Sequence, residues 1–219
     1  QKSQQIIATG FLAIGRKELP EYDKEKLRMD VVDEQLDTLG KMALGLSLGC
    51  ARCHDHKFDP VTTRDYYALA GIFESTVTMQ PPKGGPLSTW VLVDLPDKSG
   101  KAIGVREASK PVDSRICLRG DVHRRGEVVP RGFVEAIELD MEPPAKNQSG
   151  RLQLAKWIAS PNNPLTARVM VNRIWHWLMG QGLVKSPDNF GTRGRRPTHA
   201  ELLDWLAVKF IEDGWSMKK

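Results

Sequence analysis

The chain has 219 residues, 40% of them hydrophobic and 27% charged, enough to bury a core as one large or two small domains without covalent staples. This composition excludes wholesale disorder and the collagen-like and coiled-coil classes, and no apolar run reaches the roughly 18 to 20 residues of a membrane helix. The net charge of +5 is uneven, because residues 151–219 hold 11 Lys and Arg against 5 Asp and Glu, while the remainder is slightly acidic. A basic third of this kind suits an anionic glycan or an acidic partner; without a zinc finger, RNP or GXXG signature, nucleic acid is not expected. The first residue is not Met and no signal pattern precedes the globular sequence, which reads as an internal piece of a longer protein.

In chain order, Ile6-Ile7-Ala8 and Gly10-Phe11-Leu12 form the tail of a first element. From Lys24 to Leu48, Leu27, Val31, Val32, Leu36, Leu39, Ala43 and Leu46 recur at three- and four-residue steps, which predicts a helix. Gly45 and Gly49 loosen its end and leave room for backbone or a flat ligand. Residues 50–60 read as a turn or loop. A second helix is expected over 63–73, capped by Thr62 or Thr63.

Pro81-Pro82-Lys83-Gly84-Gly85-Pro86 marks a linker or long loop. Short strand-like runs follow at 89–95, 102–106 and 114–118, which suggests a small antiparallel sheet. A second boundary falls at 143–150. Helices are then predicted at 151–159, from an Asn163 cap with Pro164 at the first position to Gly180, and from Thr198, where Glu201 three residues on makes a capping box. The expected fold is mainly α with a small antiparallel β insertion, two helical segments flanking a short strand region. The expected division is 1–80, 81–149 and 150–219.

Three cysteines are too few for a disulfide scaffold, and two of them fall in Cys50-Ala51-Arg52-Cys53-His54. Three chemistries fit this CxxCH string. In a c-type haem site both thiols bond to the haem vinyls and His54 supplies an axial nitrogen. In a zinc site Cys50, Cys53 and one of His54 or His56 supply three ligands, with Cys117 or His123 completing the tetrahedron. In the third, Cys50 and Cys53 form a local disulfide or stay as thiols, and His54 and His56 hydrogen-bond to Asp55 or Asp59 in a rigid loop. A haem would leave its sixth ligand open, with Met79 and His123 as the candidates.

Leu46-Ser47-Leu48-Gly49-Cys50-Ala51-Arg52-Cys53-His54-Asp55-His56-Lys57-Phe58-Asp59-Pro60, followed by Arg64-Asp65-Tyr66-Tyr67, closely resembles the planctomycete cytochrome-like domain of unknown function. Asn163-Pro164-Leu165-Thr166-Ala167-Arg168, Asn172-Arg173-Ile174-Trp175, Pro187-Asp188-Asn189-Phe190-Gly191 and His199-Ala200-Glu201-Leu202-Leu203 resemble its companion, a second planctomycete-specific domain of unknown function. The chain departs from the second pattern at His176-Trp177, where relatives carry Gln-His-His, and at Ala200, where Pro is common. The resemblance implies a large exported bacterial protein, often joined to a separate cytochrome domain. Together with the CxxCH string it leads to an expected role in extracytoplasmic electron transfer or redox-linked work through haem c, with a redox partner protein or adjoining cytochrome domain. The rival expectation is a non-redox structural or polymer-binding module of a cell-surface assembly, its loop held by zinc or a disulfide.

The remaining motifs have simpler readings. Arg119-Gly120-Asp121 reads as a polar turn. A hydrolytic metal centre at Asp55, His56 and Asp59 lacks further carboxylates downstream. Asn172, Arg173, Trp175, Asp188 and Asn189 suit either a partner groove or helix–loop packing. The sequence assigns no catalytic residue and leaves open whether the protein is an enzyme.

Overall fold

The computed structural model describes residues 2–15, 22–80 and 89–218. The Pro81–Pro86 linker expected from the sequence lies outside them. The fold is mainly α with a small antiparallel β part, and its helices are α1 (Lys2–Thr9), α2 (Phe11–Ile14), α3 (Lys24–Leu39), α4 (Thr63–Glu74), α5 (Arg151–Ile158), α6 (Thr166–Met179) and α7 (Ala200–Glu212). The chain divides into two compact units. One comprises Gln1–Gln35, Tyr67–Gly132 and Pro143–Arg151; the other comprises Leu36–Tyr66, Phe133–Glu142 and Leu152–Lys219.

The first unit holds the strands, β1 (Thr76–Val77), β2 (Met79–Gln80), β3 (Thr89–Trp90), β4 (Leu92–Asp94), β5 (Lys101–Ile103), β6 (Arg106–Glu107), β7 (Ser114–Cys117) and β8 (Arg125–Val129). The single small sheet expected becomes four antiparallel pairs, β1 with β6, β2 with β3, β4 with β5 and β7 with β8. Ladders two or three residues long are too short to set one continuous sheet, so side chains and loops organise them. Arg131 is one such organiser. Its side chain is 3% exposed, its Nε bonds Asp113 at 3.0 Å, and its guanidinium donates to the carbonyls of Gln148 and Lys146. Glu107 is another, accepting from the Ser149 hydroxyl and the Arg151 guanidinium at 2.7 Å each. Burial pushes the Glu107 carboxyl up, but these donors outweigh it and hold it below the ordinary carboxylate value.

In the second unit, Ala167, Val171, Leu183, Val184, Leu203, Ala207 and Phe210 make a hydrophobic core, with Met170, Ile174, Trp175 and Phe190 packed around it. It grows from the apolar stripes of α6 and α7, which lie against each other, while α6 also packs on the turn at Gly40–Leu44. Two predicted helix ends are corrected. The helix expected to reach Leu48 stops at Leu39 and widens into one π turn, Gly40–Leu44, that closes on Gly45 in left-handed geometry (φ 62°). A Cβ at Gly45 would come within 2.8 Å of the Phe190 ring, so both space and backbone angle keep this position glycine. The capping box at Thr198 does not form; its hydroxyl donates to the Leu183 carbonyl at 3.2 Å, and α7 opens at Ala200. Asn163 does cap, its side-chain oxygen accepting the N–H groups of Leu165 and Thr166. Trp157 is buried and stacked on Phe133, whereas Trp177, Leu178 and Trp205 face solvent.

Candidate functional site

Leu48 and Ala51 are fully buried on either side of Cys50 and pin the backbone of the CxxCH string to the interior of the second unit. Gly49–Arg52 folds as a single 3-10 turn, with the Cys53 N–H reaching the Cys50 carbonyl at 3.4 Å. Side chains three apart on such a turn eclipse, so the two thiols share one side. Both are free and exposed, and His54 beside them is exposed too.

The two histidines of the loop hold opposite tautomers. His54 Nδ1 lies 2.8 Å from the Asp55 carbonyl, an acceptor only, so Nδ1 carries the proton and Nε2 keeps its lone pair facing outward from that bond. His56 Nδ1 instead accepts the backbone N–H of Asp59 at 2.8 Å and of Phe58 at 3.3 Å, which places its proton on Nε2, 3.4 Å from the Ser47 hydroxyl. Asp59 Oδ2 stands 3.7 Å from that acceptor nitrogen, so the contact is no ion pair in this tautomer. Both ring nitrogens of His56 are therefore spent on shaping the loop. Asp55 completes the exit by accepting the Thr63 N–H at 2.8 Å, and Thr62 with Asp65 forms a reciprocal cap at the start of α4.

A second group of residues, invisible to motif reading, clamps this loop from both sides. The Asp59 carboxylate is buried and accepts the Thr192 N–H at 2.8 Å, while the Thr192 hydroxyl donates to the Phe58 carbonyl at 2.9 Å. Gly191 is required there, since a Cβ would overlap the Asp59 carboxylate. Upstream of the cysteines, the Phe190 N–H reaches the Gly45 carbonyl at 2.7 Å, and Arg173 caps the π turn through the carbonyls of Lys41 and Met42 while pairing with Asp188. Asn172 is fully buried and bonds both the N–H and the carbonyl of Val184. The run Asn172-Arg173 and the run Asp188-Asn189-Phe190-Gly191 thus serve packing around the CxxCH turn.

The other candidate ligands belong to the first unit. Cys117 is buried at the end of β7, its sulfur 3.0 Å from the Arg125 guanidinium, which also pairs with Glu25. His123 is exposed, with Nε2 2.7 Å from Asp23 and Nδ1 3.6 Å from Glu25. Its hydrogen bond with Asp23 raises its pKa above the ordinary histidine value. Met79 sits half-buried on β2, paired in register with Trp90. Among the described residues no three His, Cys, Asp or Glu side chains stand together as a metal site. Arg119-Gly120-Asp121 lies at a turn in which Arg119 has φ 56°.

A mainly helical chain with a clamped CxxCH turn is the class these observations define. Residues 1–78 match the family model PSCyt2, described as a protein of unknown function (DUF1549), and residues 150–219 match PSD1, likewise a protein of unknown function (DUF1553). The chain therefore carries these two planctomycete-type domains of unknown function in that order. No curated protein and no solved structure matches it.

Proposed function

We propose that Cys50, Cys53 and His54 attach a c-type haem and that the protein is an electron-transfer or redox-linked module working outside the cytoplasm. The observation that carries this reading is the state of the three side chains: two free, exposed thiols on one turn beside an imidazole whose Nε2 has an unused lone pair. The donor set fits the group. The thiols would tether the ring, His54 would ligate its iron, and the Asp55 carbonyl would hold the imidazole's orientation and raise its basicity through Nδ1. When bound, the haem supplies a one-electron couple; the protein's own work is to keep the turn rigid, which His56, Asp59 and Thr192 do from behind it. The extracytoplasmic setting follows from haem attachment and from the likeness to exported planctomycete proteins.

The test is a pyridine haemochrome spectrum of protein made in a host with cytochrome c maturation. About one covalent haem per chain is expected, lost when Cys50 and Cys53 are both changed to Ser. No haem spectrum in the unaltered protein overturns the proposal.

One observation favours the rival, a non-redox structural or polymer-binding module: protein groups alone already brace the loop through Asp55, His56 and Asp59. Under that reading zinc or a disulfide would staple the loop. Metal analysis giving about one zinc per chain, lost when Cys50 and Cys53 are both changed to Ser, would support it.

A further inference from the structure

The two loops that meet at Asp59 and Thr192 carry cations that make no ion pair among the described residues. Lys57, Lys185, Arg193, Arg195 and Arg196 are all exposed, and among the described residues none of them pairs with a carboxylate. The acidic groups of the same two loops are engaged elsewhere. Asp55 holds the Thr63 N–H, Asp59 is buried against Thr192, and Asp188 pairs with Arg173.

The cations are also held in place. Phe58, 42% exposed, carries the Arg193 guanidinium 4.6 Å and the Lys57 ammonium 5.4 Å from its ring centre, both in cation–π range. The backbone of Arg195 is tied through its N–H to the Ser186 hydroxyl at 2.8 Å, next to Lys185 in the chain. Like charges gathered this way repel one another, and ordinary surfaces intersperse carboxylates among them. A cluster kept rigid and unneutralised is matched to an opposite charge that arrives from outside.

We propose that this rim is a docking surface for an acidic protein partner that seats over the CxxCH turn. The arrangement has the anatomy of a protein interface. Cys50, Cys53 and Phe58 are exposed on one loop, with Lys57 and Arg193 against the Phe58 ring, so weakly polar groups and cations stand on the same segment. Guanidinium groups fork onto carboxylates with two parallel hydrogen bonds, so Arg193, Arg195 and Arg196 suit Asp and Glu side chains. The Phe58 ring is engaged by the two cations, which sets this surface apart from one that stacks sugars on a bare aromatic face.

The test measures anisotropy of a fluorescein-labelled glutamate homopolymer against the full chain, with polygalacturonate as the glycan probe. Binding that weakens steeply with salt is expected, with about a tenfold loss for Arg195→Glu/Arg196→Glu. Lys156→Glu/Lys218→Glu changes net charge equally at two other exposed, unpaired lysines of the same unit and should leave affinity within about twofold. Amide shifts on binding should cluster at residues 52–59 and 185–196. Equal losses in both double variants, shifts spread over the whole surface, tighter binding of polygalacturonate, or no binding of the homopolymer would each overturn the proposal. Measured on the haem-free chain, this outcome is separate from whether Cys50 and Cys53 can carry a haem.

Discussion

At the residue scale the loop turns on which nitrogen of each histidine holds the proton. His54 protonated at Nδ1 offers Nε2 to a ligand, whereas His56 protonated at Nε2 offers nothing, because Nδ1 is capping Phe58 and Asp59. A long-range proton–nitrogen NMR spectrum of the haem-free protein near neutral pH should show the acceptor nitrogen as Nε2 in His54 and Nδ1 in His56. The reverse assignment would remove the basis for His54 as the axial ligand. A second titration belongs to His123. The backbone N–H of Lys26 and then the His123 ring hold Asp23 below its ordinary pKa, while Asp23 raises that of His123. The His123 contribution to stability is fully present below the ordinary histidine value of 6.5 and fades as pH rises through the raised folded value. The Asp23 contribution is present above its ordinary 3.8 and is lost as pH falls through the lowered one, so the pair works in the mildly acidic window between. Asp23→Asn should bring the His123 pKa, followed by NMR, back down toward 6.5.

At the scale of elements, caps separate what sequence reports from what it does not. Asn163 and Glu201 looked equally good as helix-start signals, but only Asn163 receives backbone N–H groups. Asn163→Ala should cost about 1 kcal/mol in denaturant unfolding and Glu201→Ala only a few tenths. A comparable loss in both would mean that the capping box forms in solution. The stripe of α3 was legible because helical periodicity survives in one short window. So was the reach of α4, where the Thr62 cap is local. The two-residue strands β1 and β2 were not legible, since alternation needs more residues than they have. The stop at Leu39 was hidden for another reason: Gly45 and Gly49 read as loosening a helix end near Leu48, but the π turn that ends it earlier is fixed by Arg173, 131 residues away from Met42 in sequence. The CxxCH turn itself marks a candidate site in five letters. Its support does not, because Thr192 and Asp59 are 133 residues apart and carry no local pattern.

At the scale of the whole molecule, that long-range support ties together the segments matched by two separate family models, since Asp59 lies in the first and Thr192 in the second. The clamp makes the C-terminal segment part of the CxxCH site. Asp59 is the point where this can be tested, because its buried carboxylate accepts from Thr192 while its own N–H caps His56. Asp59→Ala leaves the backbone bond to His56 but strands the Thr192 N–H, at a cost of about 1–3 kcal/mol. Thr192→Val keeps that N–H and removes the hydroxyl's bond to the Phe58 carbonyl and its longer contact with the Asp59 carboxylate, at about 1 kcal/mol. In hydrogen exchange of the haem-free protein, Asp59→Ala should speed the amides of residues 50–61 and of 189–193 together. Thr192→Val should show the same pattern to a smaller degree, with the α7 amides unchanged in both. Faster exchange confined to 189–193 would mean that the CxxCH turn stands without the C-terminal segment, and that the two family segments are independent at this site.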